Sequence, residues 1–453
     1  MHTSDLFGEV RSLLHGPPSL EAWRALWSLL GTVPEALYER DLKAYVLAQS
    51  ARWPDALRVY IPHDDVLSRS LEAAVTLHKG STRDLADLQA LDKASSFKRL
   101  DISRGTTRYQ DSSMASWQEA LKPGPWFNVE HLRVSYERWG SEHRSILEQG
   151  AHWPALKHLA LEHMHLPKEF FARWLECEHL MALDGLSLKA SRSSARSLGR
   201  VLGSDLPGWT RLNLNTTDPP PFVIAQLAGS ALSRQLVSLE LERALMREDV
   251  AEHLNALPWG SLEHLLVSQN SVTGVATWLS PSNLPALRSL VARSMTGRGV
   301  LIGHSALLGQ LHQLDMSFNQ HNVGLLLDTG MFTAPLPQLR SLRLRGSLPR
   351  KHAGAFLKRL QTPNLRRLDL SNNTLSHEAV RSLASNPTLD QLEVLELNNC
   401  ELSYTHVLDL CHSPFIRGLH RLELSGNPID GIGQNALQHA DLLSPEAKRS
   451  LTR

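Results

Sequence analysis

Apolar residues along the chain fall into a frame, L-x-x-L-x-L, that returns at near-constant spacing. Its first position falls on Phe97, Val129, Leu156, Leu183, Trp209, Leu236, Leu262, Leu287, Leu311, Leu339, Leu365, Leu392 and Leu419. The second and third positions follow as in Leu212/Leu214, Leu239/Leu241, Leu314/Met316, Leu342/Leu344 and Leu422/Leu424. The first step between frames is 32 residues and the later ones are 24 to 28. Within each frame the alternation predicts a short strand. Between frames the period changes to that of a helix, as in "SHEAVRSLASNP", "YTHVLDLCHSP" and "PRKHAGAFLKRL". Ser376 and Ser403 stand where a helix N-cap belongs, and Pro387 and Pro414 close the segments that follow.

One strand and one helix every 20 to 29 residues or so is the period of the leucine-rich repeat. The chain resembles the ribonuclease-inhibitor-like class of leucine-rich-repeat proteins over roughly residues 97 to 440. That resemblance implies an α/β fold. The expected form is a right-handed, horseshoe-like solenoid with a parallel sheet on its concave side and helices on its convex side. The Asn or Cys of the repeat's ninth position is present as Asn270, Asn319, Asn373, Cys400 and Asn427. Elsewhere that place holds Glu137, Met164, Thr217, Ala244 or Ser347. A buried amide there satisfies loop backbone groups of neighbouring repeats, and an unpaired group costs about 1–3 kcal/mol. The N-terminal half therefore needs other partners, and a less regular array is expected there.

A stack of repeats has two ends to cover. Residues 1–92 read as a helical N-terminal capping domain, with "SDLFGEVRSLL", "SLEAWRALWSLL" and "PEALYERDLKAYVLAQSA" at helical spacing and Leu20, Trp23, Leu26 and Trp27 on one face. This order of helices resembles the small helical companion domain that precedes leucine-rich repeats in some bacterial proteins. Leu71, Ala74 and Thr76 allow one further, degenerate repeat. Residues 93–440 form the repeat domain, about thirteen units, and residues 441–453 a capping helix with Ser444 as N-cap and Pro445 at its first turn.

Composition narrows the setting. The 453 residues are 42% hydrophobic and 21% charged, with a formal charge of +1, so no basic excess points to nucleic acid. No apolar run reaches the length of a membrane span. The N-terminus lacks a basic segment followed by an apolar one, and Cys177, Cys400 and Cys411 are too few and too scattered for a disulfide framework. A cytoplasmic location is expected.

Candidate chemistry is sparse. His131 and His158 occupy the same position of adjacent repeats, and His163 and His165 follow close by, which raises a metal or pH-sensitive site with Glu162 as the nearby carboxylate. Exposed polar residues on a chain with 22 histidines are the simpler reading, and no metal or cofactor is assigned. Some bacterial leucine-rich-repeat effectors carry a ubiquitin ligase built on Cys-x-Asp, but Cys177 precedes Glu-His, Cys400 Glu-Leu and Cys411 His-Ser. Gly297, Gly299 and Gly303 lack the lysine and the strand-loop-helix setting of a phosphate loop. One eukaryotic GTPase-activating protein uses this repeat class, which keeps regulation of an enzyme such as a small GTPase as the alternative by fold analogy alone.

What remains is surface. In the frame the leucines point inward, and the third, fifth and seventh positions face out of the sheet. Thirteen strands at about 4.8 Å give a face on the order of 60 Å long, enough for a protein partner. Read in order, the fifth positions are Asp101, Arg133, Ala160, Ser187, Asn213, Glu240, Leu266, Val291, Asp315, Arg343, Asp369, Glu396 and Glu423. Leu266 and Val291 break the polar pattern, with Arg293, Asp315, Phe318, Arg343 and Arg345 around them, the composition of a binding hot spot. Asp369, Glu396 and Glu423 form an acidic run that a basic segment would meet. The expected function is a non-enzymatic scaffold binding a protein partner on this face. Neither the partner nor the oligomeric state follows from the sequence.

Overall fold

The computed structural model describes residues 3–54, 57–58, 76–79, 98–103, 128–135, 147, 153–166, 170–206, 208–245, 253–256, 259–297, 302, 305–320, 323, 332, 334–430 and 443. The chain divides into two compact units, Met1–Val201 and Leu202–Arg453.

The first unit opens with the helices Thr3–His15, Leu20–Gly31 and Lys43–Ser50. Ser19 caps the second, its hydroxyl accepting from the Ala22 N–H at 3.0 Å. These helices share a core of Leu6, Val10, Leu14, Trp23, Leu26, Trp27, Leu30, Tyr38, Leu42, Val46 and Trp53. Trp23 sits at its centre, its ring 5.4 Å from Trp27 and 5.7 Å from Trp53. Leu20 does not join the face read for it. It is 37% exposed, because it begins the helix, one residue past the cap, and projects beyond the core.

Five parallel strands follow in this unit: β1 (Thr76–Lys79), β2 (Arg99–Ser103), β3 (His131–Ser135), β4 (His158–Glu162) and β5 (Gly185–Ser187). β1 precedes the first of the thirteen frames, so a further repeat does exist there, but Leu77 pairs with Leu100, which sets its frame three residues later than the one drawn on Leu71, Ala74 and Thr76.

The second unit carries β6 (Arg211–Asn213), β7 (Ser238–Glu240), β8 (His264–Leu266), β9 (Ser289–Val291), β10 (Gln313–Asp315), β11 (Ser341–Arg343), β12 (Arg367–Asp369), β13 (Val394–Glu396) and β14 (Arg421–Glu423). They are parallel and in sequence order, each frame position pairing with its equivalent in the next repeat. Every one of the thirteen frames thus becomes a strand at its third to fifth positions. β2, β3 and β4 run for five residues and β5 to β14 for three, so the early repeats do differ in form.

Leucines of the frame are sealed inside: Leu365, Leu368 and Leu370 are all 0% exposed. The helices Arg350–Arg359, His377–Ala384 and Tyr404–Cys411 lie side by side in three successive repeats. Ser376 accepts from the Ala379 N–H at 3.2 Å, and the Ser403 N–H donates to His406 Nδ1 at 3.0 Å, so both helices start at the residues chosen for them. The fold is an open, parallel α/β repeat solenoid. The expected C-terminal helix at 441–453 lies outside the described residues, apart from Leu443.

Ninth-position amides join the repeats. Asn373 accepts from the Leu348 N–H at 2.8 Å and donates to the carbonyls of Leu344 at 2.9 Å and Leu370 at 2.7 Å. Asn270 and Asn427 do the same between their repeats. Serine substitutes by a shorter route. Ser347 donates to the Met316 carbonyl at 2.6 Å and accepts from the Asn319 N–H at 3.0 Å. Ser191, the ninth position of the Leu183 repeat, donates to Leu161 O and accepts from the Met164 N–H at 3.1 Å.

Candidate functional site

The lateral register sets the site. Each fifth-position residue is paired directly with the next: Glu240 with Leu266, Leu266 with Val291, Val291 with Asp315, Asp315 with Arg343, Arg343 with Asp369, Asp369 with Glu396 and Glu396 with Glu423. One continuous row therefore runs across the strands of the second unit. Leu266 and Val291 are half-buried neighbours on it, about 4.8 Å apart as in any sheet.

Asp315 is the electrostatic centre beside them. It is only 4% exposed, although it points to the open face, because long neighbours cover it. Arg293 Nε donates to its Oδ2 at 2.8 Å, and Arg343 Nη1 approaches the same oxygen at 3.7 Å. The other oxygen accepts from the Ser317 hydroxyl at 2.7 Å and the Ser317 N–H at 3.1 Å. Two guanidiniums share one carboxylate, and both keep donors free of it. Removing Asp315 would leave them facing each other uncompensated.

Phe318 lies in the following turn and is 50% exposed. Its φ is +60°, in the left-handed region that bulky residues rarely occupy. Its N–H donates to the Arg345 carbonyl at 2.7 Å. The ring rests beside Gly346 of the next repeat, where a Cβ would meet Cδ1 at 3.0 Å. Arg345 lies over the ring, 5.8 Å from its centroid, a cation–π arrangement.

The left-handed turn is itself a repeat feature that the sequence reading missed. The eighth position has positive φ in His163, Ala190, Thr216, Arg243, Gln269, Ser294, Phe318, Gly346, Asn372, Asn399 and Gly426. Gly346, Asn372, Asn399 and Gly426 carried the signal, since Gly and Asn adopt that conformation most readily. Phe318, like Thr216, Arg243 and Gln269, has no such preference, and the turn imposes the conformation on it at a cost on the order of 1–3 kcal/mol.

The acidic run is less open than its residue types suggest. Asp369 and Glu396 are each 7% exposed. Arg367 pairs with Glu396, and Arg421 with Glu423 through its Nε at 2.6 Å. Glu423 also accepts from the Asn398 amide at 2.7 Å. Burial, and then the neighbouring Asp369, push the Glu396 carboxyl above its ordinary value. Third-position arginines, Arg367 on the neighbouring strand and Arg421 on the same one, thus absorb much of this acidity.

In the first unit the paired His131 and His158 stack, with ring centroids 4.3 Å apart and planes at 20°. His158 Nε2 lies 3.9 Å from Asp184. His165 forms a bridge to Arg192, and the His163 N–H donates to Lys189 O at 2.8 Å. Among the described residues no group of three or more His, Cys, Asp and Glu is placed to hold a metal ion.

Fold and face together fit a leucine-rich-repeat array whose second unit carries an apolar pair, Leu266 and Val291, in a row of polar side chains. A family model described as Leucine Rich Repeat matches residues 364–386. No curated protein matches the chain. Among the described residues no helix is long and apolar enough to cross a membrane.

Proposed function

We propose that the chain is a non-enzymatic scaffold that captures a protein partner on the open sheet face of its second unit, centred on Leu266 and Val291. The observation that carries this reading is the direct pairing of the two, a contiguous apolar element at positions occupied elsewhere in the second unit by charged or polar side chains. Arg293, Asp315, Phe318, Arg343 and Arg345 make its rim on one side, an assembly of aromatic and arginine side chains typical of interface hot spots. Asp369, Glu396 and Glu423 extend the same row and supply a charged border. The helices within residues 1–92 serve as the cap of the array, and the free cysteines suit a reducing cytoplasm. Regulation of an enzyme such as a small GTPase has no specific residue in its favour.

The double variant Leu266→Glu/Val291→Glu tests the reading. Both side chains reach the surface, so the variant is expected to keep the wild-type circular dichroism and melting profile. Partner capture in a pull-down is expected to vanish. Unchanged capture by this folded variant refutes the patch.

A further inference from the structure

We infer that the partner presents a short extended segment in which a large apolar side chain is followed, about three or four residues on, by acidic side chains. This rests on the reading of Leu266 and Val291 as the docking patch and adds the chemistry of what docks there.

Charge is the first argument. Arg293, Arg343 and Arg345 crowd the face beside the apolar pair, and the carboxylate between them is Asp315. Among the described residues Arg345 has no carboxylate partner. It lies over Phe318 and, with the Asn372 amide turned to accept, 2.9 Å from that neutral oxygen. The cluster therefore holds an excess of two positive charges, with guanidinium donors pointing to solvent. Planar donors of this kind bind carboxylates in pairs.

The borders of the cluster are the second argument. On one side stand Glu240 and Glu242, the former accepting from Asn213 and Asn215 and the latter from Gln269. On the other stand Asp369, Glu396 and Glu423. The Glu240/Glu242 border repels an acidic segment, whereas Asp369 and Glu396 are nearly buried and repel it little, so the segment's carboxylates are kept to the arginine side of Leu266. A nucleic-acid strand, with a phosphate at every step, would run onto those carboxylates.

Geometry sets the spacing. Leu266 and Arg343 are three strand steps apart, about 14 Å, which an extended chain covers in about four residues at 3.3 Å each. Phe318 lies in the turn that follows β10, exposed and held in an unfavourable backbone conformation. It offers a ring against which the segment's apolar stem packs while Arg345 takes the carboxylate.

The experiment selects a displayed random dodecapeptide library on the full chain. Enriched peptides are expected to carry Asp or Glu three or four positions from a Leu, Ile, Phe or Trp. A synthetic peptide of the leading sequence is then titrated against wild type and against Arg345→Glu, an exposed position with no carboxylate partner among the described residues. Charge reversal is expected to weaken binding by about tenfold or more, and raising salt is expected to weaken wild-type binding. Acid-poor winners, no enrichment, or equal binding by the charge-reversed chain overturn the inference. So does a dodecathymidylate probe that binds wild type more tightly than the peptide. Loss of binding in Leu266→Glu/Val291→Glu with no effect of charge reversal would leave the docking patch standing and remove only the acidic partner. Full binding by the apolar variant with loss on charge reversal would do the reverse.

Discussion

Asn373→Ala isolates what one ladder amide contributes to the array. The side chain is buried, 3% exposed, and makes one accepted and two well-formed donated hydrogen bonds. Truncation leaves the Leu348 N–H with no acceptor inside a residue that is itself 2% exposed. An orphaned buried donor costs about 1–3 kcal/mol. The two carbonyls fare better. Leu344 O still accepts from the Ser347 N–H at 3.1 Å, and Leu370 O from the Cys400 thiol at 3.2 Å. Each loses only its better partner, worth about 0.5–1 kcal/mol. The expected destabilisation is therefore about 2–5 kcal/mol. Thr374→Ala, next in the chain and bonded, among the described residues, only to Glu401 at the surface, should stay within about 0.5 kcal/mol of wild type. Urea titration followed by circular dichroism measures both. Since repeats are stabilised by their neighbours, hydrogen exchange at the Leu348 amide should accelerate before the distant repeats respond. A loss below about 0.5 kcal/mol for Asn373→Ala would refute the account of the ladder.

Two further expectations concern buried titratable groups. The Glu396 carboxyl is raised by burial and by Asp369, so the folded chain holds this proton to higher pH than the unfolded chain, whose glutamate titrates at its ordinary 4.5. Ionising it opposes folding; the penalty is complete above the folded value and absent below the unfolded one. Glu396→Gln should therefore raise the melting temperature at neutral pH, with the gain shrinking as the pH falls through the raised folded value towards 4.5 and gone below it, and an unchanged or lower neutral melting temperature contradicts this. Burial pushes the Cys400 thiol up to about 11 and raises Cys411 too. At pH 8 roughly 0.1% of Cys400 would be thiolate, so iodoacetamide should mark half-buried Cys177 first in the native chain, as peptide mass mapping would show.

Much of the scaffold was legible because the core demands it. A strand position that must bury Leu368 or Leu395 accepts few other residues, so the frame survives in the text and its pairing follows from its spacing. The helix starts at Ser376 and Ser403 were equally plain, since an exposed amide needs a short polar side chain at one place only. Legibility failed where different residues solve one physical problem. Ser191 and Ser347 replace the ladder amide with a hydroxyl and shorter reach, which no search for Asn or Cys detects. The left-handed turn can be taken by Gly346 or Asn372 at little cost, but also by Thr216 or Phe318 when neighbours hold it.

The candidate site shows the same division more sharply. That Leu266 and Val291 are neighbours was readable, because lateral pairing follows from repeat spacing. That Asp315, Asp369 and Glu396 are nearly buried was not, because their cover comes from long side chains on other strands. Asp315 disappears under Arg293 and Arg343, and Glu396 is paired by Arg367 from the third position of the strand beside it. Residue type alone made the row alternate between acid, apolar and base. Burial redistributes that pattern: the acids at its C-terminal end are largely neutralised in place, and the net positive charge gathers at Arg293, Arg343 and Arg345. On the second unit the apolar Leu266 and the cationic Arg343 thus stand three strands, about 14 Å, apart, with Arg293 beside Val291 between them. The leucines that make the fold recognisable take no part in that arrangement. The outward positions, free of any core constraint, decide it.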